Sequence, residues 1–100
     1  MSTPALIKID GINFAKIYKH WDGDPDSTLP WLKRFNEEFA KKRGDDPEYK
    51  FAQLLRDSAF NGERFDLDDS RFTGWGVVGY NDFSADYEYT LHKDGSVSYS

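Results

Sequence analysis

The sequence predicts an α+β domain: an antiparallel β-sheet, elements in the order ββααβββ, with a two-helix hairpin packed on one face. Three observations carry this. Period-two alternation of apolar side chains occurs near both ends of the 100-residue chain. Two stretches with helical spacing of apolar residues fill the middle, each followed by Gly. Asp-Gly steps at Asp10-Gly11 and Asp94-Gly95 supply hairpin turns. A chain of this length builds one core, so residues 1–100 form a single domain, with no internal repeat or linker.

Ala5 to Asp10 reads as the first strand and Ile12 to Tyr18 as the second, joined at Asp10-Gly11. Asp22 to Thr28 contains only turn and cap formers and reads as a loop. The first helix is expected to start at an N-cap on Thr28 or Leu29, with Pro30 in its first turn. Leu32, Phe35 and Phe39 form its stripe, flanked by Trp31. Lys41-Lys42-Arg43-Gly44 ends it with cations and a Gly. Asp46 caps the second helix, Pro47 takes its first position, and Phe51, Leu54, Leu55 and Ala59 form its stripe up to Asn61-Gly62. Only about three residues separate the helices, which predicts a hairpin. Residues 63–71 are polar, and β character returns over Phe72 to Tyr80. After a loop from Asn81 to Asp86, Tyr87, Tyr89 and Leu91 alternate with Glu88, Thr90 and His92. Val97 and Tyr99 close the sheet as an edge strand.

Composition excludes several classes. Aromatics are 17% of the chain, too many for a disordered polymer. There is no Cys, hence no disulfide framework, thiol nucleophile or Cys-based zinc site, which fits a reducing cytoplasm. Neither a signal-peptide core nor an apolar run long enough for a bilayer is present, so no membrane association is expected. Net charge is −5. Residues 1–50 hold 9 basic and 9 acidic residues, whereas residues 51–100 hold 4 and 9. Nucleic-acid backbones require clustered cations, so direct nucleic-acid binding is not expected. An acidic surface suits a basic partner, and the plain alternative is charge that serves solubility.

Gly74-Trp-Gly-Val-Val-Gly79 matches G-x-G-x-x-G but lacks the following helix and the distal acidic residue of a dinucleotide site. Asp22, Asp24 and Asp26 have the spacing of the first ligands of a calcium loop. Ser27 replaces the required Gly, and Lys33 replaces the closing Glu. His20 and His92 are the only imidazoles, and neither lies in a hydrolase motif. The residues thus imply no cofactor, no metal and no catalytic set. What remains is a partner-binding set: the acidic residues Asp66, Asp68, Asp69, Asp82, Asp86 and Glu88, with the aromatics Tyr80, Phe83 and Tyr87 as a desolvated centre.

The segment Tyr18-Lys-His20-Trp21-Asp22-Gly23-Asp24-Pro25 resembles the Tyr-x-His-Trp-Asp-Gly-Tyr-Pro signature of a group of small bacterial and prophage proteins, with Asp24 in place of the second Tyr. Leu29 and Leu32 and the Asp-Asp-Pro-Glu-Tyr start of the second helix extend the likeness to about half the chain. The resemblance implies no catalytic residues. Its phage association suggests, by analogy of size and charge, an anti-defence inhibitor of the anti-CRISPR type in the cytoplasm of a bacterial host. The partner would be a host protein or ribonucleoprotein complex with a basic surface. The alternatives are a housekeeping interaction module, homodimeric through Val97 to Tyr99, and a small-ligand or metal-binding domain using residues 21–28.

Overall fold

A computed structural model describes residues 3–20, 22–58, 75–80 and 84–100. The elements are β1 (Ala5–Ile9), β2 (Ala15–Lys19), α1 (Pro25–Arg43), α2 (Pro47–Ser58), β3 (Trp75–Gly79), β4 (Tyr87–Leu91) and β5 (Val97–Tyr99). The α+β class and the order ββααβββ are as expected. The strands form one sheet in the order β3-β2-β1-β4-β5.

Three ladders are antiparallel, but β1 and β4 pair in parallel, with Ala5 opposite Tyr87 and Ile9 opposite Leu91. The sheet is therefore mixed, where an antiparallel one was expected. The cause lies in β1. Ala5, Leu6, Ile7 and Ile9 are all buried, the near-continuous apolar run of a strand in the middle of a sheet, which takes β2 on one edge and β4 on the other. β2 follows through a tight turn and can only be antiparallel. β4 returns through a long connection, which permits the parallel pairing.

The β1–β2 turn is longer than the Asp10-Gly11 step alone. Gly11 has φ 101°, and the Ile12 amide donates to the Ile9 carbonyl at 2.9 Å. Ile12 drops into the core while Phe14 stays 68% exposed, so the strand starts at Ala15 and not at Ile12. Helix α1 also starts earlier than expected. Asp24 is the N-cap, its side chain accepts the Ser27 amide at 3.2 Å, and Pro25 takes the first position. Asp46 stands before Pro47 at the start of α2 in the same order, but its carboxylate is paired with Arg43 at 3.0 Å. Pro30 consequently lies inside the helix, where it forgoes one bond to the Asp26 carbonyl. Both residues are at the exposed surface, which lets water replace that bond. Gly44, with φ 69°, closes the helix through its amide to the Ala40 carbonyl at 3.1 Å.

Both helices cover one face of the sheet. Leu32 of α1 and Leu54 of α2 meet Ala5, Ile7, Ile9, Ile17, Tyr89 and Leu91. Trp31, Phe35, Phe51 and Leu55 pack around them.

Candidate interaction surfaces

Polar groups buried under α1 set the position of the β4–β5 hairpin. Asn36 lies one turn beyond Leu32 and is fully buried. Its Nδ2 donates to the carbonyls of His92 at 3.0 Å and Ser96 at 2.8 Å. Lys50 of α2 is 2% exposed and reaches the same His92 carbonyl at 3.4 Å. Burial pushes its amine below the usual lysine range. At the turn itself, the Asp94 carboxylate accepts the Ser96 hydroxyl at 2.6 Å and the Ser96 amide at 2.9 Å, which holds its pKa below the ordinary value. Gly95, with φ 97°, backs onto Ala40 of α1. The start of β5 therefore lies against the Asn36–Ala40 stretch.

The opposite end is held by Tyr89. Its ring is fully buried, and its hydroxyl donates to the Gly23 carbonyl at 2.5 Å. The Gly23 amide donates to the Thr3 carbonyl at 2.7 Å. A Cβ on Gly23 would stand 2.5 Å from that oxygen and 2.6 Å from the Ala5 Cβ, so only Gly fits. Thr28 donates its hydroxyl to the Asp22 carbonyl at 2.6 Å. Burial, reinforced by the Asp24 charge, pushes the Tyr89 phenol well above the ordinary tyrosine range.

These two anchor points run β5 antiparallel to α1. Between them lies an open groove lined by Pro25, Asp26, Leu29, Pro30, Lys33 and Tyr99. The Tyr99 side is 49% exposed, its ring 5.7 Å from that of Tyr89 and 6.5 Å from that of Tyr87.

The sheet face away from the helices carries a different cluster. Lys16 Nζ is 2.5 Å from a Glu88 carboxylate oxygen and 4.7 Å from the Tyr80 ring centroid. Lys8 Nζ stands 5.3 Å from the same ring, and a hydrogen bond with Tyr80 raises the Lys8 pKa. Nearby on β2, the Tyr18 hydroxyl and His20 Nδ1 are 2.6 Å apart.

The structure thus brings Tyr80 and Glu88 together through Lys16. Tyr87, one residue from Glu88, falls on the helix-covered face beside Tyr99, because strand residues alternate. Asp86 is exposed at the start of β4, its amide donating to the Pro4 carbonyl at 3.2 Å. Asp66, Asp68, Asp69, Asp82 and Phe83 lie outside the described residues. Asn36, Lys50 and Gly23 were not singled out from the sequence. Asn36 carried a signal, as an amide within the apolar stripe between Leu32 and Phe39.

His92 Nε2 and Ser98 Oγ are 2.7 Å apart across the hairpin, within reach for a general base. The pair sits at the exposed surface, and the carboxylate of the same turn, Asp94, is engaged by Ser96. Among the described residues, no group of three His, Cys, Asp or Glu side chains is placed to hold a metal. Asp24 is committed to the helix cap. Trp75 to Gly79 is strand β3 itself, not the strand-to-helix turn of a dinucleotide fold. No helix among the described residues is long and apolar enough to cross a membrane. Compared with known proteins, the chain matches no family model, no curated protein and no solved structure.

Proposed function

We propose that this chain is a small acidic binding protein that inhibits a bacterial host complex by occupying a basic, nucleic-acid-receiving surface. The observation that carries the reading is the charge asymmetry: residues 51–100 hold 9 acidic and 4 basic residues, while the first half is neutral. Complementary charge accelerates encounter and sets register with a cationic partner. The resemblance to small prophage proteins at Tyr18 to Pro25 supports an anti-defence role in the host cytoplasm. Lys16 neutralises Glu88 within the fold, so the attraction falls to the other acidic positions. Asp86 is exposed, and Asp66, Asp68, Asp69 and Asp82 belong to the same acidic half. The action is steric and electrostatic, without catalysis.

The test is affinity capture of the tagged protein from bacterial lysate at low and high salt, repeated with the Asp66→Lys, Asp68→Lys, Asp69→Lys triple variant. The expected result is a nucleic-acid-handling or defence complex, retained at low salt, shed at high salt and lost with the variant. Salt-independent capture, or equal capture by the variant, removes the acidic surface from the reading.

A further inference from the structure

The β5 edge and the groove beside it form a second surface, independent of the acidic reading above. Among the described residues, β5 is the outermost strand on its side of the sheet. On its inner side, Glu88 and Ser100 exchange backbone hydrogen bonds at 3.1 and 3.0 Å, and the His92 amide donates to the Ser96 carbonyl at 2.9 Å. Even-numbered residues of β5 therefore point their backbone groups at β4. By the alternation of an antiparallel ladder, Val97 and Tyr99 point theirs outward. No described residue pairs with them there. Two donors and two acceptors thus stand in a row at the spacing of an extended chain. Such a row is the template for strand addition.

The groove gives that template a floor. Pro25, Leu29 and Pro30 supply apolar lining and Tyr99 one wall, with Asp26 and Lys33 about two turns apart along α1. Side chains opposite Val97 and Tyr99 share their face of the sheet, so they would descend toward α1 and into this lining. Charge runs along the groove: the helix start holds Asp24 and Asp26, the far end Lys33. Because β5 runs antiparallel to α1, a strand added antiparallel to β5 runs from the Asp26 end toward the Lys33 end.

From these features the geometry points to a peptide-binding site, in which an extended segment of another protein adds to β5 as a sixth strand. That segment carries a cationic residue at its N-terminal end, alternate apolar residues in its centre and an acidic residue at its C-terminal end. A second copy of this chain fits less well. It brings a net charge of −5 to the acidic end of the groove, and a three-residue edge covers far less than the roughly 1,000 Å² of a stable dimer.

The probe is a fluorescein-labelled peptide, Lys-Lys-Thr-Val-Thr-Val-Thr-Glu, titrated into the full chain by anisotropy and by amide NMR. Binding is expected with shifts centred on Val97, Tyr99, Leu29 and Lys33. Methylating both valine nitrogens, which removes two ladder donors, should weaken it about tenfold. Tyr99→Pro deletes an outward donor without touching the β4 ladder, and Asp26→Lys reverses one end of the groove; each should weaken the probe severalfold. The reversed-order peptide should also bind more weakly. Absence of shifts at millimolar peptide, shifts centred elsewhere, or equal binding of the methylated or reversed peptide overturns the site. A concentration-dependent dimer in light scattering that Tyr99→Pro abolishes also overturns it, by giving the edge to a second copy.

Discussion

Replacing Tyr89 by Phe removes one oxygen atom and leaves the ring in the core. That oxygen donates to the Gly23 carbonyl at 2.5 Å, and both residues are buried. A buried acceptor left without its donor costs about 1–3 kcal/mol. For a domain of this size, each kcal/mol moves the melting temperature by about 4–8 °C, so a fall of about 10 °C lies near the centre of the expectation. The pH dependence adds a signature that a packing defect lacks. Burial first, then the charge of Asp24 and the neighbouring Tyr87 and Tyr99 phenols, raise the Tyr89 pKa above the ordinary value near 10. The folded chain holds this proton more tightly than the unfolded chain. The resulting stability is complete below about pH 10 and is lost as pH climbs above it toward the folded value. Phe has no such loss. The difference between parent and variant should therefore be constant from pH 7 to 9 and shrink above pH 10, by up to about 1.4 kcal/mol per pH unit. Urea unfolding followed by circular dichroism at pH 7, 9, 10 and 11 measures it. A melting temperature within about 2 °C of the parent at pH 7, or a difference unchanged at pH 11, would refute the reasoning.

Two further substitutions probe the same anchors. Gly23→Ala forces a Cβ to 2.5 Å from the Thr3 carbonyl and should cost about 3 kcal/mol or more, read as a fall in soluble yield and urea midpoint; a near-parental midpoint would contradict the packing described. Lys50→Met keeps the volume and removes a cation from a buried position, so stability at pH 7 should be unchanged or higher by about 1 kcal/mol. Because the folded pKa is depressed, the parent's penalty is full at low pH and is relieved as pH rises toward the ordinary lysine value, so the advantage of Met should vanish near pH 10. A loss above about 2 kcal/mol at pH 7 would mean that the bond to His92 outweighs desolvation.

Local chemistry made most elements legible. Asp94-Gly95 is a turn because Gly95 takes positive φ, and Asp46-Pro47 starts α2 because both residues suit a helix N-terminus. The same rule applied to Asp24-Pro25 would have found the start of α1. Pro30 drew the boundary away, since a proline inside a helix goes against local preference and survives here at the exposed surface. The parallel β1–β4 ladder was not legible. It depends on which strand becomes central, a decision made by burial of β1 on both faces and not by any turn. Of the candidate contact residues, the sheet alternation of Tyr87 against Glu88 was readable in advance. The Lys16–Glu88 pair was not, because it crosses from β2 over β1 to β4 and rests on tertiary register.

That central strand also dictates an order of events during synthesis. β1 leaves the ribosome before both partners and can pair at once with β2, but its other edge waits for β4, about eighty residues later. Until then an apolar strand displays a bare row of backbone groups. The nascent chain is consequently most prone to aggregation while it is partly made, and translation pauses ahead of β4 would lengthen that exposure.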